Sequence, residues 1–538
     1  MAEQQLRAEN LSVAAAFGLS YTDLTPDQQR LFRRLGLHPG PSIDAYAAAA
    51  LDAASPETAR RHLDQLYDQH LITEPAPGRY QLHDLLREHA CTLAAADNPA
   101  ESGEAIGRLL DYYLHTALAA GQHFTPWTSA YRRPPPGVPP AQAPGVSTLG
   151  QAAAWLDAER ANLHAAADYA ADSGRSPHAI AMAAAVGGFL IARGHWDQAT
   201  ALHRTALAAA RRAGDRLGEA DTLAELGIVQ REAGDYPAAT ASWARARALY
   251  GDAGDLPGQA NVLNQLGFLH LLTGDYPAAA ASHDQALALA CRAGDRLTEA
   301  AALINLGFLQ QLTGDYPAAA ASHQQALALC RDLGNLQGQA YALSSLAVVQ
   351  QETGDYPAAA ASHQQALALF SDLGDLQGQA YALNDLGLVQ QETGDYPAAA
   401  ASHQQALTLF ADLGNRLGQA QALNGLGALA TRTANTAQAH ESHAQALAIA
   451  RDIGAAPEEA RALEGLGHAH LHDGNPGQAA TQLRQALTIY QRIDAPAAQR
   501  VQQTIQYHTS ITTPEPRPAD PGNEGHQPRS PAAPPGNR

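Results

Sequence analysis

Six histidines occupy one recurring position in this sequence: His203, His283, His323, His363, His403 and His443. Imidazoles at fixed spacing are the material of metal centres and proton shuttles. If the repeat folds into stacked helix pairs, neighbouring members of the column lie roughly 15–20 Å apart, because two helices at ~8–10 Å spacing intervene. A shared metal needs every ligand within ~2 Å. Trp243 and Leu483 fill the same column, so the position selects for bulk. The column is therefore expected to be packing, with no metal and no cofactor. Leu82-His83-Asp84 is a second chemically suggestive cluster. Paired acids such as Glu352 and Glu392 fit a solvated face. Every residue type recurs at every spacing, so no nucleophile and base can be singled out, and no enzyme is expected.

Composition closes further routes. Among 538 residues, Lys and Arg total 34 and Asp and Glu total 53, for a net charge of −19. All the basic residues are arginine. Without lysine there is no Walker-type phosphate loop, Schiff-base lysine or lysine general base. The negative balance disfavours nonspecific binding to nucleic acid or an anionic membrane. Cys91, Cys291 and Cys330 are scattered and odd in number, which supplies neither a disulfide framework nor a CxxC metal site. The N-terminal MAEQQLRAENLSVAAAF lacks the character of a signal peptide, and no run approaches ~18 apolar residues. A cytoplasmic location is expected.

The elements that position these residues follow from a repeat. Gly-Asp-Tyr-Pro begins at Gly234, Gly274, Gly314, Gly354 and Gly394, a step of 40 residues without insertion or deletion. Weaker copies begin at Gly194, Ala434 and Gly474, giving about eight units. Leucines at Leu223 and Leu226 and their equivalents through Leu463 and Leu466 have helix spacing, followed by a small residue at Gly227, Gly267, Gly307, Ala347, Gly387, Gly427 and Gly467. Alanines recur seven residues apart, as at Ala399 and Ala406, on one face of a second helix. Each unit is helix, tight turn, helix. Leu386-Gly387, Gly394, Tyr396, Ala399 and Ala406 together resemble the tetratricopeptide repeat (TPR), although the period is 40 rather than 34 residues and histidine replaces the usual second-helix aromatic. The resemblance implies a mainly α fold, a right-handed superhelical solenoid. The six extra residues per unit fall between units, as longer helices or a wider connection.

Residues 1–95 differ. The stretch from Ser55 to Ile72 has a Ser-Pro start and helix-spaced apolar positions, and TEPAPGRYQLHDLL after it carries a Pro-Gly turn, which together suggest a small winged-helix-like domain. The segments starting at Leu11, Arg79, Arg108 and Ala154 resemble the C-terminal part of AfsR-like NB-ARC/STAND regulators of actinobacteria, without their nucleotide-binding domain. That resemblance assigns His83 and Asp84 to an MHD-type motif that contacts ADP. With no phosphate loop in the chain, they are expected to be a remnant with a structural role. The expected organisation is 1–95 winged-helix-like, 96–176 a helical linker with a Pro-rich loop at 125–147, 177–508 the repeat solenoid with a terminal capping helix, and 509–538 a disordered Pro-rich tail.

The TPR resemblance implies a ligand groove lined by the first helix of each unit. Its contact positions fall on Asn261, Asn264, Tyr341, Tyr381, Asn384 and Asn424, with Phe268, Phe308 and Leu388 one turn along. Amides would fix an extended peptide backbone and the apolar residues would supply pockets. The expected function is a non-catalytic protein- or peptide-binding scaffold in signalling or transcriptional regulation, without nucleic acid or membrane as partner. Two alternatives stand beside it. The first is a DNA-binding regulator using the winged helix, although residues 56–90 carry four arginines against six acids. The second is a truncated or split STAND ATPase sensor served by an NTPase or regulator in trans.

Overall fold

The computed structural model describes residues 20–124, 133–493 and 497–512. The chain divides into two compact units, residues 1–382 and 383–538. Both are built from antiparallel helix pairs, and the reason is visible in each turn. In Gly-Asp-Tyr-Pro the glycine ends the preceding helix with a positive φ, +83° at Gly394, where a side chain would be strained. The aspartate caps the next helix: Asp395 Oδ1 accepts from the backbone N–H of Ala398 at 3.2 Å. Tyr396 and Pro397 then enter the first turn of the helix Tyr396–Asp412, where proline loses no hydrogen bond.

The junction between units uses the same chemistry. Gly374, with φ +68°, closes one helix, and Asp375 accepts from the Gly378 N–H at 2.8 Å to open the next. Helices such as Tyr236–Ala253 and Leu256–Leu272 have 18 and 17 residues and are separated only by Gly254 and Asp255. The extra length of the repeat therefore lies in longer helices, while the connection stays tight.

Ahead of the repeats come helices Pro26–Leu35, Ala45–Asp52 and Pro56–Asp68, then strands β1 (Thr73–Ala76) and β2 (Arg79–Gln81), paired antiparallel. Ile43 and Tyr80 form a further bridge. Helices Asp84–Ala94, Pro99–Gly121 and Leu149–Asp172 lead into the first repeat helix, Ser176–Ala192. One cluster of buried side chains runs from Leu24 through Tyr113, Leu163 and Phe189 to Ala210 and Val229, crossing the expected boundaries at 95 and 176 without a break. Polar ties reinforce it. His38 Nε2 lies 2.8 Å from Tyr113 Oη, Arg87 donates to the carbonyls of His38 and Gly40, and Arg79 pairs with the buried Glu159.

In the Pro-rich loop, residues 133–147 form neither helix nor strand, and residues 125–132 lie outside the described residues. The loop is anchored by Arg133, which pairs with Asp215 at 3.0 Å and Asp221 at 2.7 Å, and by the Val138 N–H, which donates to Asp111 at 3.0 Å. The terminal helix Ala497–Thr512 runs past the expected boundary at 509, and the rest of the expected tail, 513–538, lies outside the described residues. No helix among the described residues is long and apolar enough to cross a membrane.

Candidate functional site

The histidine column is internal. His283, His323, His363 and His403 are fully buried, with His203 and His443 nearly so. His283, His323, His403 and His443 each sit over the glycine of the Leu-Gly pair sixteen positions earlier: a Cβ on Gly267, Gly307, Gly387 or Gly427 would come within 2.6–2.8 Å of the imidazole ring. On Gly227 it would meet the Trp243 indole at 2.3 Å. The glycines thus make room for one large ring, a more specific role than helix approach. Burial holds the six imidazoles down at about 4, so all are neutral at pH 7.

The asparagines expected in the groove turn inward instead. Asn261, Asn264, Asn384 and Asn424 are only 1–6% exposed. Asn264, Asn384 and Asn424 accept from Nδ1 of His283, His403 and His443 at 2.9, 3.0 and 3.1 Å. Asn424 Nδ2 also donates to Glu458 at 2.9 Å. An amide committed to a buried imidazole has little left for a ligand, so the expected groove role of Asn264, Asn384 and Asn424 is corrected to a core role, and that of Asn261 is corrected on its burial alone. Where the pattern lapses, with Ile304 and Ser344 in the asparagine position, both ring nitrogens of His323 and His363 are without a protein partner.

The apolar half of the expected groove stays accessible. In the unit 1–382, Phe308 is 37% exposed and Tyr341 40%, while Phe268 and Tyr381 are half-buried. Leu272 and Leu312, one turn beyond Phe268 and Phe308, are 48% and 47% exposed, and the sequence reading passed over both. Their signal was present: an (i, i+4) apolar pair repeated on successive first helices, Leu256–Leu272 and Arg296–Leu312. The Arg231 guanidinium lies 5.1 Å from the centre of the Phe268 ring, donates to Gln265 Oε1 at 2.7 Å and is paired with Glu232 at 2.6 Å, which fixes it against the ring. Tyr341 packs edge-on against Phe370 at 5.4 Å, holding its ring in place. In the unit 383–538, Leu388 is half-buried.

His83 and Asp84 are both exposed at the start of the helix Asp84–Ala94, and the His83 side chain makes no capping bond. Asp84 sits in the first turn, where a carboxylate complements the helix dipole. Sequence reading also missed His440, His470 and Asp473, whose ligating atoms all lie within 4.8 Å of one another. The run His468-Ala-His-Leu-His-Asp473 was the available signal, but its third member, His440, comes from another unit.

Stacked, capped helix pairs with an exposed apolar strip on their first helices define a helical repeat scaffold. The tetratricopeptide repeat pattern matches residues 178–252 and 258–332, then 298–372, 338–412, 378–452 and 418–492, more than half of the chain; the chain belongs to the tetratricopeptide repeat family. It is 39% identical over 190 residues to the regulatory protein AfsR of Streptomyces griseus and 40% identical over 188 residues to AfsR of Streptomyces coelicolor. Those alignments take in 34% and 33% of this chain but only 19% and 18% of the relatives, so the chain spans about a fifth of their length. Among solved structures, it is similar to a Signal Transduction ATPase with Numerous Domains (STAND) protein with a tetratricopeptide repeat sensor from Pyrococcus horikoshii. The TM-score is 0.61 at 14% identity, covering 92% of this chain and 67% of that one, a likeness of fold.

Proposed function

We propose that the chain is a non-catalytic scaffold that seats a protein or peptide segment in cytoplasmic regulatory signalling. The observation that carries this reading is the strip of Phe268, Leu272, Phe308 and Leu312: large apolar side chains left accessible at matching positions on the first helices of two consecutive units. Large apolar side chains left exposed at matching positions of neighbouring repeats mark an interaction surface. The similarity to AfsR supports a regulatory setting. The occupant is a segment with apolar anchors, bound by burial at the strip rather than by amide contacts to its backbone. Residues 1–95 are proposed as winged-helix-like, closing the front of the array. Duplex binding is not part of the proposal, because the exposed face of the helix Pro56–Asp68 carries Glu57, Asp64 and Asp68 beside Arg60 and Arg61.

The test is capture of partners by the full chain with Phe308→Ala and Leu312→Ser combined. Loss of a partner with unchanged helicity supports the strip; an unchanged partner set sinks it. A second reading, that an NTPase works in trans, draws on the exposure of His83 and Asp84, where a separate chain could reach them. Loss of a nucleotide-dependent partner on changing His83→Ala alone would favour that reading.

A further inference from the structure

We propose that His440, His470 and Asp473 form a binding site for a divalent transition metal ion, of the class represented by Zn2+, at the junction between two consecutive repeat units. His440 stands in the first turns of the helix Thr436–Asp452, while His470 lies in the last turn of the next helix, Ala456–His472, and Asp473 caps its end. His440 Nε2 is 2.7 Å from Asp473 Oδ2, and the two imidazole centres are 4.4 Å apart, tilted by 54°. Nδ1 of His470 is buried and has no protein partner. Among the described residues, this is the one group of three potential ligands that converges.

The repeat supplies an internal control. His440 occupies a column that elsewhere holds Ala280, Ala320, Ala360, Ala400 and Ala480, with threonine in two earlier units. The His470 column holds Gln310, Gln350 and Gln390, with His270 as its other histidine, and the Asp473 column holds threonine from Thr273 to Thr433. Only at this junction do all three columns hold ligating residues together, and these side chains meet in space. Nothing in the packing of a helix pair demands this, because the neighbouring units stack with alanine, glutamine and threonine in the same places. His468 and His472, in the same run, do not join the group.

Two imidazoles and a carboxylate suit Zn2+ and its neighbours rather than Mg2+ or Ca2+, which prefer all-oxygen shells. Ligand bonds of ~2.0–2.2 Å would replace the His440–Asp473 hydrogen bond and spread the pair by on the order of half an ångström, within the reach of side-chain rotation. The site is partly open, with His440 and Asp473 28% and 29% exposed, so water completes the coordination. Because its ligands come from two units, the bound ion pins one unit to the next.

The experiment is calorimetric titration of the chelator-treated full chain with ZnCl2, paired with thermal unfolding in the presence and absence of Zn2+. The variants His440→Ala, His470→Gln and Asp473→Thr each install the residue that the repeat itself uses, so the helix pair keeps its packing. The expected result is saturable uptake of about one Zn2+ per chain that raises Tm, weakened at least roughly tenfold in each variant along with the Tm shift. The proposal is overturned by wild-type uptake that none of the variants weakens, or by no saturable uptake at all.

Discussion

The neutral imidazole of His403 donates from Nδ1 to Oδ1 of Asn384 at 3.0 Å, while its Nε2 accepts from Gln391 at 2.7 Å. Both ring nitrogens of a fully buried side chain are thereby satisfied, and the pair ties the second helix of a unit to its first. Removing the amide strands a buried N–H. Asn384→Ala is therefore expected to lower stability by ~1–3 kcal/mol in urea unfolding, with Asn424→Ala close to it through His443. Unchanged unfolding midpoints would show that these amides do not hold the core.

His323 gives the opposite result because its ring nitrogens have no protein partner. Leucine already fills this column at Leu483. His323→Leu is expected to leave stability unchanged or raise it by ~1 kcal/mol, whereas His403→Leu should lower it by ~1–3 kcal/mol by orphaning the Asn384 carbonyl oxygen and leaving Gln391 with only its bond to the Gly425 carbonyl. Equal effects in the two variants would contradict the pairing.

Gly227→Ala probes the space beneath a ring. The added methyl would lie 2.3–2.7 Å from three atoms of the Trp243 indole, which is fixed by donation to the Ala224 carbonyl at 3.0 Å. The expected cost is ~1–3 kcal/mol, despite alanine's better helix propensity. A stabilised variant would mean that the indole moves freely.

Acid should unfold the array earlier than its carboxylates alone require. Burial holds the six column histidines at about 4 in the fold, below the ~6.5 of an exposed imidazole, so the unfolded chain takes up protons first. Their contribution is complete above pH ~6.5 and is lost as pH falls toward 4, at up to ~3 kcal/mol per histidine. Circular dichroism across this range should record a loss of Tm beginning near pH 6. A flat Tm down to pH 4.5 would refute it.

Much of this architecture was legible in the sequence because a 40-residue period makes each column its own experiment. The Leu-Gly pair, the Gly-Asp turn and the second-helix alanines are local signals, and all take their expected places. The asparagines failed for a geometric reason. Asn264, Asn384 and Asn424 lie where a first helix turns from groove to interior, and what draws them inward is a histidine nineteen residues away. Leu272 and Leu312 had the converse problem: in the sequence they look like core leucines, and only the stacking leaves them outside. His440 meets His470 and Asp473 across a unit boundary, and self-comparison along a single column does not bring such residues together.

The unbroken core from Leu24 to Val229 has a practical side. A stack of repeats that begins abruptly shows water the apolar flank of its first helix, here the side carrying Phe189, whose ring meets Phe124 at 5.2 Å, and that flank invites aggregation. Helices Pro99–Gly121 and Leu149–Asp172 shield it and are in turn fastened to the segment from Pro26 to Ala94. A shortened protein starting at residue 177 would thus be sticky, whereas one retaining residues from about 20 onward keeps its own lid.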